Sequence, residues 1–442
     1  MQNDTIYDAW WYAVFGAFLW AASRFGLAGR GRWQWAGYAW ALWTEIAALI
    51  HFVIARAETK AKSLSMRARH TRERRLGTTY ETQVTVLGCG GASLGDLYVR
   101  TPHAQAVATV ERAAASGIRF FDTAPFYGLG LSEARMGLAL QRFPRDSFVL
   151  NTKVGRTLVP DRAPLGGDAK PGGWRHGAHF TYRFDYSGAG FRQQHADSLM
   201  RTGLGRVDTL VIHDLEPVAH KGGDDPTGEA RAATHLEVLR ASGFDELCAM
   251  RGEGTIVAFG AGVNAAEDGE DAREKVMYDR KYVGEIFKMG DARPDGRGVD
   301  FLLLANLYSL LNHDAHTSGI LDECQRRGVR VVVGGPFSSG ILATGADPPD
   351  GRTPYYNYQP APPDVRDRCR AIEKLCAKYR VPLAAAALQF PLGHRAVASV
   401  IPGAKSPEEM AMNMEHLKVE IPDAFWDDLL AAGLLPRDTK TP

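Results

Sequence analysis

An Asp-Thr-Ala-Pro-Phe-Tyr-Gly run, Asp122 to Gly128, follows the apolar segment Ile118 to Phe121 and so stands where a buried strand would end. Two later apolar runs also finish on titratable side chains. Phe148 to Thr152 leads to Lys153, and Leu210 to Ile212 leads to His213. Each has an ordinary reading on its own: a cap, a packed ring, a solvated ammonium, a loop imidazole. Three strand ends in order, delivering Asp and Tyr, then Lys, then His, form a proton-transfer set if the strands are parallel and their C-terminal ends share one mouth. A free phenol titrates at about 10, too high to trade protons easily at neutral pH. A neighbouring ammonium favours the phenolate, a carboxylate keeps that ammonium charged and in place, and an imidazole orients a substrate oxygen. The chemistry is that of a carbonyl or alcohol, with Tyr127 as acid or base and hydride supplied from elsewhere.

The elements needed to position such a set are legible from Leu76 onward. Apolar strand cores are predicted at Thr85–Leu87, Ile118–Phe121, Phe148–Thr152, Leu210–Ile212, Ile256–Phe259, Phe301–Leu304, Arg330–Val333 and Ser399–Ile401. Amphipathic helical stretches such as Ala104–Ala115 and Val365–Tyr379 separate them. This alternation predicts a parallel sheet with helices outside, an α/β fold. Eight strands at this length favour a closed (β/α)8, or TIM, barrel. Three segments are candidate rims: Val159–Arg183, a possible substrate lid with Trp174 as a wall; Glu267–Gly298, read as a solvated polar loop; and Ala343–Pro363, rich in proline and tyrosine.

The chain resembles the aldo-keto reductases from about Leu76 to the C-terminus, with Asp122, Tyr127, Lys153 and His213 at the family's catalytic tetrad. The resemblance is closest to the branch of D-threo-aldose 1-dehydrogenases and pyridoxal 4-dehydrogenases. It is carried by Gly88-Cys89-Gly90-Gly91-Ala92-Ser93-Leu94-Gly95, Phe184-Asp185-Tyr186-Ser187, Ile212-His213-Asp214-Leu215-Glu216, Phe259-Gly260-Ala261-Gly262-Val263-Asn264 and the stretch Gly334 to Leu342. It implies a (β/α)8 barrel that binds NAD or NADP without a dinucleotide-binding domain. It also implies an aldose-like or small carbonyl substrate. Barrels of this family also serve as cofactor-sensing channel subunits, which leaves a regulatory barrel with little turnover as the alternative.

The cofactor segment is Ile401-Pro402-Gly403-Ala404-Lys405-Ser406-Pro407, which ends the eighth strand and opens a helix whose N–H groups suit an anion. The resemblance implies that Gly403, Ala404, Lys405 and Ser406 meet the adenosine phosphates and Asn413 the adenine. Gly90 lies beside the nicotinamide in this reading, and Asn264 binds its carboxamide. Ala411 stands where NADP-preferring relatives carry an arginine that would grip a 2′-phosphate bidentately. NAD is favoured on that ground, with NADP still open.

Composition excludes other classes. The chain has 442 residues, of which 45% are hydrophobic and 23% charged, with a net charge of +1, so no global field argues for nucleic acid. Five scattered cysteines show no CxxC pair, which suggests neither a metal site nor a disulfide framework and fits a cytoplasmic setting. Residues 1–65 differ, holding Trp10, Trp11, Trp20, Trp33, Trp35, Trp40 and Trp43. The apolar stretch Ala9–Ala22 is too short to span a bilayer, whereas Trp33–Ala55, at about 23 residues, is long enough. The segment reads as an apolar, Trp-rich helical extension with possible membrane contact, or as a mis-called start ahead of Met66. The barrel is expected within 66–442. Oligomeric state is not legible.

Overall fold

The structure, a computed structural model, describes residues 73–76, 82–161, 174, 177–264 and 272–442. The expectations for residues 1–65 lie outside them. Among the described residues eight parallel strands form the sheet: β1 (Cys89–Gly90), β2 (Phe120–Asp122), β3 (Val149–Val154), β4 (Thr209–Ile212), β5 (Ala258–Asn264), β6 (Phe301–Ala305), β7 (Arg330–Gly334) and β8 (Val397–Ile401). Neighbours in space are neighbours in sequence, and parallel bridges Leu87↔Val400 and Gly90↔Gly403 join the last strand to the first. No helix among the described residues is long and apolar enough to cross a membrane.

Strand periodicity explains the two cores. Alternate side chains point to opposite faces, so Phe120, Val149, Val211, Phe301, Leu303 and Val332 fill the barrel interior. Their neighbours Phe121, Leu150, Leu210, Leu302 and Val331 face the helices in a larger outer core. The helix Pro363–Tyr379 shows the matching pattern. Val365, Cys369, Ile372 and Cys376 are buried at spacings of three and four, Pro363 sits in its first turn, and Arg380 ends it with φ 55°.

Three expectations are corrected. The predicted first strand, Thr85–Leu87, is divided. Gln83–Thr85 pairs antiparallel with Glu73–Arg75, and that hairpin plugs the barrel floor with Leu76 and Val84. The barrel strand itself is the short Cys89–Gly90. It lies so close to β8 that a Cβ on Gly90 would come within 2.7 Å of the Ile401 carbonyl oxygen. Barrel closure therefore already accounts for this glycine. Second, β3 and β5 run further than their apolar cores suggest. Lys153 lies within β3 rather than after it, and Asn264 closes β5. Third, most of the segment read as a solvated loop, Glu267–Gly298, is the helix Ala272–Asp291. Its face of Tyr282, Val283, Ile286, Phe287 and Met289 is buried, and charges on the other face mask that stripe.

Candidate active site

The C-terminal ends of β2, β3 and β4 bring the predicted tetrad together. Asp122 closes β2, and its Oδ1 accepts from Lys153 Nζ at 2.7 Å and from Asn151 Nδ2 at 2.6 Å. Lys153 Nζ also donates to the Thr123 carbonyl at 2.8 Å. Both members of the pair are buried, each 2% exposed, so the ammonium is fixed in one place by its partners. It stands over the Tyr127 ring, 4.6 Å from the centroid. Tyr127 is held by a tight backbone contact. A Cβ on Gly95 would lie 2.5 Å from the Tyr127 carbonyl carbon, and one on Gly128, at φ 64°, would lie 2.6 Å from the Gly95 oxygen. Only glycine fits both sides of that contact.

The His213 ring stands edge-on to Tyr127 with centroids 6.0 Å apart. Burial, opposed by Asp214 and reinforced by Arg156 and Lys153, lowers its pKa to about 3. The imidazole is therefore neutral at physiological pH. Its Nδ1 lies 3.5 Å from Arg156 Nη1, which can only donate, so Nδ1 is the acceptor and Nε2 carries the hydrogen. Nε2 is 3.4 Å from Asp214 Oδ1, a long contact that leaves the N–H weakly held.

Tyr127 departs from the expected balance. Burial first, then Asp122, Tyr358 and Asp214, push its phenol well above the usual value, with Arg156 acting the other way. The sequence reading had Lys153 drawing this pKa down. With the ammonium bonded to Asp122 and Thr123, the net direction in the structure is upward, and the phenol is held as the protonated acid.

Behind the tetrad lies a network that sequence reasoning missed. Arg156 is 4% exposed, and its guanidinium stacks over Phe126, Tyr182 and Phe184 at 4.2, 4.9 and 4.7 Å. Its Nη1 donates to Asp214 Oδ2 at 2.6 Å. Asn264 Nδ2 donates to Asp214 Oδ1 at 2.7 Å, and Tyr186 Oη donates to the Asp214 and His213 carbonyls, each at 2.8 Å. Burial works against the Asp214 carboxylate, but His213, Arg156 and Asn264 together hold it below the ordinary range. One buried anion thus ties His213 to Asn264. The available signal was Arg156 three residues after Lys153 and Asp214 directly after His213. Trp174, the predicted lid wall, does reach the site. It is 3% exposed, with its ring 5.7 Å from Tyr127 and 5.4 Å from Phe126. The base of that lid is an antiparallel hairpin, Arg156–Pro160 with Phe180–Phe184.

Two buried histidines near this network set an acid limit on the fold. Burial lowers His213 to about 3 and, with His235 and Arg156 adding to it, His220 to about 4. In the unfolded chain each titrates at about 6.5. Between those values the unfolded state binds more protons, so stability rises with pH there and is lost on acidification. The expected loss below about pH 6.5 is about 1.4 kcal/mol per pH unit for each histidine. Urea midpoints measured at pH 7 and pH 5 check this, and equal midpoints would show that neither imidazole is kept neutral by folding.

The predicted cofactor segment lies at the end of β8. Ser406 caps the helix Pro407–His416, accepting from Glu409 N, and Glu409 Oε2 accepts from Lys405 N at 2.8 Å. Ser93 Oγ donates to the Ala404 carbonyl at 2.8 Å and Gln105 Nε2 to the Lys405 carbonyl at 3.0 Å. These bonds fix the loop while the Lys405 ammonium makes no ion pair among the described residues. Gly403 faces Ser93, and Asn413 is buried on the inward face of the helix. At the barrel mouth Asn306 is 5% exposed and its Oδ1 has no partner among the described residues. An uncommitted ammonium at a helix N-terminus and an orphaned amide oxygen at the mouth fit a dinucleotide with a nicotinamide head.

All five cysteines are buried. Burial, with Asp122 adding to it, pushes Cys89 up to about 12, so the thiol beside the tetrad stays protonated.

A buried phenol beside a lysine–aspartate pair and a neutral imidazole suits proton transfer to or from a carbonyl or alcohol oxygen, with hydride supplied by a bound cofactor. The sequence profile of the Aldo/keto reductase family matches residues 86–432, and the chain belongs to that family. It is 37% identical over 377 residues to pyridoxal 4-dehydrogenase of Microbacterium luteolum, covering 84% of this chain and 100% of that protein. It is 34% identical over 355 residues to D-threo-aldose 1-dehydrogenase of a Pseudomonas species, covering 80% and 95%. Among solved structures, glycerol dehydrogenase from Gluconobacter oxydans shares the fold with a TM-score of 0.56 at 20% identity, over 84% of this chain and 97% of that one. The protein is an NAD(P)-dependent oxidoreductase.

Proposed function

We propose that the protein is an aldose-type dehydrogenase using NAD. It oxidises the anomeric C–OH of an aldose, or a comparable hydroxyl on a small carbonyl compound, to C=O, or runs the reverse. Bound nicotinamide accepts or supplies the hydride. The residues of the chain handle the proton and the alignment. In reduction Tyr127 donates its phenolic proton to the oxygen as the C–H bond forms, and in oxidation it takes the hydroxyl proton. His213, neutral and protonated on Nε2, donates to the same oxygen and orients it. Lys153 holds its charge beside the phenol, and Asp122 keeps Lys153 in place. The observation that carries the reading is the buried Asp122–Lys153 pair, 2.7 Å apart, with its ammonium over the Tyr127 ring. Lys405, Ser406, Gly403 and Ala404 are assigned to the phosphates, Asn413 to the adenine, and Gly90 and Asn264 to the nicotinamide end. The two dehydrogenases named above support the substrate class.

A panel of aldoses and pyridoxal assayed with NAD and with NADP tests this. NAD-dependent turnover of at least one hydroxylated substrate is expected, and a panel that yields no hydride transfer with either cofactor would defeat the reading. NAD is expected to bind more tightly than NADP. Ala411 offers no guanidinium, and the Glu409 carboxylate beside Lys405 suits ribose hydroxyls better than a 2′-phosphate. Ala411→Arg should shift the preference toward NADP, read by fluorescence titration. Tighter native binding of NADP would overturn the preference.

A further inference from the structure

Asp214 follows His213 at the end of β4, and its carboxylate competes for the one hydrogen the site needs from that ring. Oδ1 lies 3.4 Å from His213 Nε2, close enough for a charged oxygen to draw the imidazole N–H away from a substrate. Both carboxylate oxygens, however, are taken by shorter bonds. Asn264 Nδ2 donates to Oδ1 at 2.7 Å, and Arg156 Nη1 donates to Oδ2 at 2.6 Å. Bonds of that length to a charged acceptor prevail over a 3.4 Å contact. The same Arg156 nitrogen lies 3.5 Å from His213 Nδ1. It carries two hydrogens, so one serves Asp214 while the other faces the ring.

Both sides of this arrangement are anchored. Arg156 opens the lid hairpin just after β3. Its guanidinium packs over Phe126, which precedes Tyr127, and over Tyr182 and Phe184 on the other arm of the hairpin, at 4.2, 4.9 and 4.7 Å. A desolvated cation on aromatic faces is held strongly. Asp214 is fixed through its backbone, which turns in the left-handed region at φ 49°. Tyr186 Oη and His220 Nε2 bond its carbonyl at 2.8 and 2.9 Å.

We propose that Arg156 is a positioning residue that occupies Asp214 and faces Nδ1 of His213, so that His213 keeps its single hydrogen on Nε2 and presents it to the substrate oxygen. The inference rests on the function proposed above and deepens it: the first residue of the lid hairpin sets the hydrogen-bonding state of the tetrad imidazole. The groups that face His213 are Asp214 beside it, Lys153 and Arg156 from β3 and the hairpin, and Tyr127 from the end of β2. Removing Arg156 takes away a positive neighbour and frees the anion at once. Both changes favour the imidazolium. The His213 pKa should then rise from about 3 toward the ordinary value of about 6.5, with the Nε2 hydrogen drawn to Asp214.

The test has one readout that needs no turnover. ¹⁵N spectra of histidine-labelled protein, with the His213 signals identified by their loss in His213→Asn, report the protonation of each ring nitrogen. The native ring should be neutral and protonated on Nε2 across about pH 5–8, whereas in Arg156→Met it should charge within that range. Reduction of glyceraldehyde by NADH is the second readout. Arg156→Met should lose about tenfold in kcat/KM at neutral pH, the value of one hydrogen bond, and recover as the pH rises. Arg156→Lys keeps the charge but not the planar fork, and should show the same changes at smaller size even if the methionine variant fails to fold. The double variant Arg156→Met, Asp214→Asn should return the ring to neutrality, abolish the pH dependence and recover most of the lost activity. A His213 ring that stays neutral and Nε2-protonated in Arg156→Met and Arg156→Lys overturns the inference. So does a loss of activity that is equal at every pH and unrecovered by the double variant, which would make Arg156 merely structural. Either result leaves the proposed function standing. A native protein that turns over neither glyceraldehyde nor any aldose defeats the proposed function alone, since the spectra decide the state of His213 without turnover.

Discussion

Tyr127→Phe is expected to lower kcat by roughly 10²–10⁴-fold while NADH affinity stays close to native. The variant removes one oxygen and keeps the ring, so the contacts of that ring with Lys153, His213 and Trp174 persist. What is lost is the proton the reacting oxygen must gain or give up. The upward shift of the phenol adds a directional signature. Acting as a donor, the protonated phenol needs no change of state at neutral pH, so the reduction rate should be flat there. Acting as an acceptor it must first be deprotonated, so the oxidation rate of the native protein should climb as the pH is raised above neutral. Rates for Tyr127→Phe near those of the native protein in either direction would remove Tyr127 from the chemistry.

Lys153→Met should abolish turnover and also destabilise the barrel by about 3–5 kcal/mol, because it leaves Asp122 charged and buried without its cation. The double variant Lys153→Met, Asp122→Asn separates the two effects. With both charges removed, stability should return most of the way, since replacing a buried pair as a unit is often close to neutral. Activity should not return, because the ammonium over the Tyr127 ring is still missing. Urea unfolding and steady-state kinetics on the three proteins read this out. A single variant as stable as the native protein would show that the pair is solvated. A double variant that regains turnover would show that the ammonium is dispensable for the chemistry.

The barrel was legible because its signal is local. Apolar runs of strand length alternate with helical stripes such as Val365, Cys369, Ile372 and Cys376, and each can be read within a few turns of chain. The reading failed where local pattern and tertiary demand part company. The helix Ala272–Asp291 has its apolar stripe hidden among charges on its other face. The first strand was misplaced because only the approach of β8 decides which part of Val86–Gly90 joins the sheet.

The sequence by itself picked out Asp122, Tyr127, Lys153 and His213, which the fold brings to one mouth, and the helix-opening segment at Lys405. Each is a short motif at a strand end, and strand ends of a parallel barrel meet at one mouth whatever the loops do. Only the tertiary structure decided how that mouth is tuned. The Asp214–Asn264 bond joins residues 50 apart, and Arg156 reaches Asp214 across 58. The direction of the Tyr127 shift was set there too. A motif names which charges are present, but burial and the competing partners of Lys153 determine which of them prevails. Desolvation and long-range pairing depend on what surrounds a group in space, and neither is written in the spacing of residues along the chain.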